Sequence, residues 1–169
     1  MALAKENLLL SKDVIFTGDK KLSSIIAENE KVLGSYFHVL NDVERIGDHA
    51  ENFYEIGEQM SDKELAFSNV AVNEITNMFD AVIKTFDVAI DVFNNLSINR
   101  LEELNENENV VDGLKKSLNQ AHVQRLANGC CKTELSAYFF STVSGLERVA
   151  DHLVNVGYST VNPTGSQNA

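Results

Sequence analysis

The sequence is poor in the residues that punctuate a chain: it holds one proline, nine glycines and no tryptophan in 169 residues. A sheet protein needs turn residues at every seam, so this scarcity, beside abundant Leu, Ala, Glu, Asn and Lys, excludes a turn-rich β architecture and predicts an all-α fold. Cysteine is equally sparse. Cys130 and Cys131 are neighbours, which supplies neither a spaced zinc ligand set nor a disulfide framework and suits a reducing compartment. No apolar run approaches the roughly 18 to 20 residues of a membrane span, and MALAKENLLL lacks the basic start, apolar stretch and cleavage site of a secretion signal. The chain therefore reads as soluble and cytoplasmic.

Positive charge is the remaining shortage. Fourteen Lys and Arg face 25 Asp and Glu, for a net charge of -11 and a pI near 4.7. Such a surface repels a phosphate backbone, so nucleic acid is not an expected partner, whereas a cationic partner or a metal is easier to host. The same acidity would also serve solubility alone. With 44 % hydrophobic residues the chain can bury a core, as one domain or a pair of small repeats.

Apolar residues recur at threes and fours along most of the length. A first helix is expected over residues 3–16, closed at Gly18, and a second over 20–33. Gly34 is expected to open a third, carrying Phe37, Leu40, Val43, Ile46, Ala50, Phe53 and Ile56, that ends after Met60. Another runs from an N-cap at Ser68 to Asn95, one follows over 99–124, and the last spans 134–160 beyond the break at ANGCCKT. The end of the chain, 161–169, with the only proline and small polar residues, is expected to be a disordered tail.

Two stretches repeat one another: VERIGDHAEN at 43–52 and LERVADHLVN at 146–155. Glu, Arg, Asp, His and Asn recur at identical offsets, and Tyr36 and Phe37 precede the first copy as Phe139 and Phe140 precede the second. An internal duplication of a helical unit explains both. Within each copy Glu, Asp and Asn fall four apart (Glu44, Asp48, Asn52; Glu147, Asp151, Asn155), so they stack on one helix face. Two carboxylates one turn apart repel by a few tenths of a kcal/mol, a sign that a bound cation reverses. Carboxylate oxygens are hard donors suited to Mg, Ca, Mn or iron. A single ExxxD is ordinarily a solvated face; the duplication carries the signal. His49 and His152 sit about 100° off that face and suit packing or hydrogen bonding between helices better than ligation; Arg45 and Arg148 suit salt bridges. A weaker echo, AENEKVLG at 27–34 and NENENVVDG at 105–113, adds Glu108 and Asp112 as a further ExxxD pair that a second helix could bring to Glu147 and Asp151.

The stretch FHVLNDVERIGDHAEN and its echo LERVADHLVN resemble the PhoU family of helical regulators of bacterial phosphate uptake, most closely the PhoU-like cytoplasmic domain of sodium/phosphate cotransporters. The resemblance covers nearly the whole chain as two repeats, 1–60 and 68–160, and implies two three-helix bundle units with metal clusters on paired ExxxD motifs. By that analogy Glu44, Asp48, Glu147 and Asp151 are ligands, then Glu108 and Asp112. Iron or zinc ranks first as the metal, manganese or nickel next. Implied too are a non-enzymatic adaptor role that couples phosphate transport to phosphate status, and a partner in a membrane phosphate transporter or its signalling proteins, at the inner face of the membrane. The first repeat departs from the pattern. Glu28 to Glu44 is 16 residues where Glu106 to Glu147 is 41, so the first repeat is shortened by 25 residues and lacks partner carboxylates. A homo-dimer could cover the apolar surface such a loss exposes; a decayed or truncated gene would leave the same gap.

Two other classes compete with the adaptor reading. A carboxylate-bridged metalloenzyme in a helical bundle would use Glu-x-x-His at i, i+3, whereas each His here falls five residues after its Glu. A metal-free helical scaffold would keep the repeat for packing alone. The chain carries neither a nucleophile–base motif nor a phosphate loop.

Overall fold

The computed structural model describes residues 2–161. Val161 closes the last helix, and residues 162–169 of the expected tail lie outside the described residues. The described residues form five α-helices and no strand: α1 Ala2–Thr17, α2 Lys20–Asp62, α3 Asn69–Asn95, α4 Leu101–Ala127 and α5 Leu135–Val161. None of them is long and apolar enough to cross a membrane.

The helix ends follow local chemistry. Gly18 takes a left-handed φ of 65° after α1, and Asp19 accepts the Lys21 N–H to cap α2. Ser68 caps α3 by accepting from the Ala71 N–H. Leu96 closes α3 in the left-handed region at φ 52°, a conformation that costs a branched side chain energy, and a 3-10 turn over Ile98–Arg100 leads into α4. Arg100 ties that corner together through Asp91 and Glu103, each at 2.9 Å.

Gly34 does not start a helix. α2 runs through it without a break for 43 residues, about 64 Å, so the two helices expected over 20–33 and from Gly34 onward are one. A mid-helix glycine costs only about 1 kcal/mol, and the apolar stripe on both sides keeps a single period through it.

Helices α3, α4 and α5 pack on one another as a three-helix unit, α2 lies against α5, and α1 packs on α2. The buried stripe of α3, Ala71, Ile75, Met78, Val82, Thr85, Ala89 and Val92, alternates steps of four and three as helix pairing requires. It meets Leu104, Val111 and Leu118 of α4 and Phe139, Val143, Leu146, Ala150 and Leu153 of α5 in one continuous core. Gly157 lets α5 approach closely: a methyl there would run into Leu104. Outside this unit, the α1–α2 hairpin is held by polar contacts, Asn7 donating to Glu30 at 3.2 Å and accepting from Asn29 at 2.8 Å.

Candidate metal centre

Helical spacing puts Glu108 and Asp112 on one face of α4 and Glu147 and Asp151 on one face of α5, and the packing of α4 on α5 turns those faces together. Burial, then the negative charges of Asp112, Asp151 and Glu147, holds the Glu108 carboxyl above its ordinary range. Asp151 is raised in the same way, by burial first and by Glu147 next, against the opposing pull of Arg148 and Lys115. Four of the six carboxylates expected from the sequence thus share one electrostatic neighbourhood.

Lysines serve this group, and the sequence pattern did not point to them. Lys115 Nζ forms an ion pair with Glu147 Oε1 at 2.8 Å, and Lys116 donates to Asp112 Oδ2 at 3.1 Å. Glu147 Oε2 is buried with no hydrogen-bond partner, Arg148 Nε standing 3.9 Å away. A bare carboxylate oxygen in a low-dielectric setting is a costly group, and a hard cation is the species that would satisfy it. Among the described residues no three His, Cys, Asp or Glu side chains are gathered closely enough to form a ready cage. The donor chemistry fits a cation; the Lys115 ammonium holds the place a cation would contest.

The first pair stands apart. Glu44 and Asp48 are exposed on α2, and among the described residues no salt bridge or side-chain hydrogen bond engages either. α2 continues straight through Gly34, with no turn and returning helix on the Glu44 and Asp48 side of it.

The repeated histidines join helices. His152 Nδ1 lies 2.8 Å from Asp42 Oδ1, and the His49 and His152 rings face each other at 6.0 Å between centroids across the α2–α5 contact. Burial, then the neighbouring His152, holds His49 below the ordinary histidine value. Asp42 was not marked by the repeat, because its counterpart by offset is Gly145. A second unmarked cluster ties α4 to α3 and to α5. Arg125 grips Glu74 with two 2.7 Å hydrogen bonds, and His122, 2 % exposed, stacks on Phe139 at 4.2 Å with Nε2 3.2 Å from the Ser136 hydroxyl.

A family model described as the PhoU domain matches residues 75–160, just over half of the chain and most of α3 together with α4 and α5. The chain is 26 % identical over 144 residues to the phosphate-specific transport system accessory protein PhoU homolog 1 of Thermotoga maritima, covering 82 % of this chain and 61 % of that protein. It is 23 % identical over 137 residues to the corresponding PhoU homolog of Clostridium acetobutylicum, covering 81 % of this chain and 61 % of that one. The chain thus spans about three-fifths of the length of these curated relatives. No solved structure matches it.

Proposed function

Because the chain belongs to the PhoU domain family, we propose that it is an accessory module of phosphate transport, acting through protein contacts and carrying metal on its α4–α5 acidic face. The observation that carries the transport reading is the match to two relatives named as phosphate-specific transport accessory proteins along four-fifths of the chain. Its partner in this reading is a membrane phosphate transporter or that transporter's signalling proteins, met at the cytoplasmic face. The sodium/phosphate cotransporter is the particular transporter that the sequence resemblance favours.

The reading of a metal here is supported by the bare Glu147 Oε2 and by the electrostatic neighbourhood that Glu147 shares with Glu108, Asp112 and Asp151. With a cation bound there, iron, zinc, manganese or nickel, these carboxylates would be its ligands and Lys115 would give way. Glu44 and Asp48 offer one pair only, so one site per chain is the expectation. The role is regulatory, with no catalytic step assigned to any residue. Residues 1–60 and 68–160 are the two repeats of this reading, and a homo-dimer completes the first of them.

Metal content by plasma mass spectrometry, on the chain beside Glu147→Ala/Asp151→Ala after dialysis without chelator, tests the metal part. One equivalent lost in the variant is the expected result; no metal in either protein after loading overturns it. Co-purification of a phosphate-transport membrane protein with the tagged chain tests the partner, and its absence from detergent extracts of phosphate-starved and phosphate-replete cells alike would sink that reading.

A further inference from the structure

The two copies of the repeat lie 103 residues apart, and this offset maps the face of α2 onto that of α5 residue by residue. Phe139, Val143, Leu146, Ala150 and Leu153 are at most 2 % exposed and Gly157 is buried, all beneath α3 and α4. Their counterparts on α2 are Tyr36, Leu40, Val43, Gly47, Ala50 and Tyr54. Every one of these is exposed, with Tyr36 at 45 %, Leu40 at 67 %, Val43 at 53 % and Tyr54 at 63 %. The spacing of four, three, four, three, four is that of a helix seam made to be covered. Solvent now meets the face that forms the heart of the other repeat.

The elements that ought to cover it are present in the chain, pointed the wrong way. By chain order α1 and the first part of α2, Lys20–Gly34, correspond to α3 and α4, and the two form an antiparallel hairpin as α3 and α4 do. In the second repeat the seven residues 128–134 turn the chain back so that α5 packs under that hairpin. In the first repeat there is no turn, because α2 is continuous through Gly34. A straight helix cannot fold its own first half onto its second. The hairpin also keeps a second apolar face open to solvent, with Leu8 at 73 %, Leu9 at 57 %, Ile15 at 78 %, Phe16 at 77 % and Ile25 at 42 %.

We infer that two copies of this chain exchange their α1–α2 hairpins, each hairpin covering the bare Tyr36–Tyr54 face of the other copy and closing there a three-helix unit like α3–α4–α5. Loss of a connecting turn is the change that converts intrachain packing into exchange between identical chains, since the contacts are the same and only their chain of origin differs. The fit is one of length and of charge. α1 is about 24 Å long and the bare face about 27 Å. The hairpin, residues 1–34, carries five lysines against five acidic residues, so the whole net charge of -11 lies on residues 35–169 and the neutral hairpin can settle on the acidic body of a partner. The exchange is isologous, both copies giving and receiving the same surface, so it stops at two. It rests on the repeat and the packing, and stands whether or not the α4–α5 face holds metal.

Light scattering on the eluting chain at micromolar concentration should give a dimer; a monomer overturns the proposal. A chain with a second copy of residues 128–134 inserted between Gly34 and Ser35 regains the turn and should become a monomer of undiminished helical content. If it folds and stays a dimer, the copies meet through another face and the exchange is overturned. Should the insertion prevent folding, complementation decides. Leu40→Glu/Val43→Glu spoils the receiving face and Leu9→Glu/Phe16→Glu spoils the hairpin, so each alone should be monomeric. Mixed, the two chains keep one intact hairpin and one intact face and should form a heterodimer. No heterodimer at concentrations where the unmodified chain is dimeric overturns the exchange.

Discussion

Helices α2 and α5 spell the same motif and meet different fates. On α5 the apolar face of LERVADHLVN is sealed by two helices, and the carboxylates beside it, Glu147 and Asp151, are drawn toward Glu108 and Asp112 of α4. On α2 the apolar face of VERIGDHAEN is open, and Glu44 and Asp48 project into water. Identical residue types at identical offsets thus give a core with a candidate metal centre in one place and an unpartnered surface in the other. The difference lies in what precedes each helix: a longer α4 and a seven-residue turn lead into α5, whereas the first repeat is 25 residues shorter there and α2 runs straight on. Local sequence sets the helix; the connection decides what the helix buries.

Paired substitutions should show this asymmetry most strongly at the first aromatic of each copy. Phe139→Ala empties a fully buried site under His122 and should cost roughly 3 to 5 kcal/mol in urea denaturation. Tyr36→Ala should leave unfolding of the α3–α5 core within about 0.5 kcal/mol at a dilution where chains are separate. Equal losses would mean that the face of α2 is buried within a single chain. Glycines sharpen the contrast at the next level. Gly157→Ala drives a methyl into Leu104 and should cost about 1 to 3 kcal/mol, whereas Gly47→Ala meets nothing within 4 Å and should stabilise the chain by the helix-propensity gain of about 1 kcal/mol, seen as a higher melting temperature. The counterpart of Gly47 is already an alanine, Ala150, so a dimer that repeats the α5 packing has room for that methyl.

Much of this was legible in the residues. The buried stripe of α3, the caps at Gly18 and Ser68 and the break over ANGCCKT follow from period and turn chemistry, because each is a local property. That Glu108, Asp112, Glu147 and Asp151 influence one another's charge followed from spacing plus one assumption, that α4 packs on α5. What was not legible depended on tertiary context. Gly34 looks like a boundary, yet its helical cost is small and the apolar period runs through it unbroken. Leu96 in a left-handed turn has no local signal at all. Lys115 against Glu147, Asp42 against His152 and Arg125 against Glu74 are meetings between helices whose rotation about their axes no single period fixes to within one residue.

The buried histidine of the closed unit gives a smaller, pH-dependent contrast. Burial, and then the Arg125 charge, holds His122 below the ordinary histidine value, against a weaker pull from Glu74. The unfolded chain takes up a proton near pH 6.5 while the native chain refuses it, so stability is full above that value and falls as the pH drops below it. Each such group should therefore lower stability between pH 7 and pH 5, by at most about 1.4 kcal/mol per unit, while the raised carboxyls of Glu108 and Asp151 act in the opposite sense. His122→Gln should flatten the decline in part, the remainder belonging to His49 at the α2–α5 contact, which is lowered for the same leading reason.

The smallest contrast bears most directly on the acidic face. Asp151→Asn removes one charge from a crowded, half-buried group, so in metal-free buffer it should stabilise the chain by a few tenths to about 1 kcal/mol. Asp48→Asn relieves only the exposed pair with Glu44 and should change stability by less than about 0.5 kcal/mol. Titrating in manganese or zinc should then reverse the order for α5, with the unmodified chain gaining melting temperature and Asp151→Asn gaining little, because a cation that binds the native state stabilises it in proportion to its affinity. A face kept for packing alone would show the first effect without the second, since like charges repel whether or not a metal is ever bound. The reversal, and not the destabilisation, is therefore what separates a metal centre from an acidic surface.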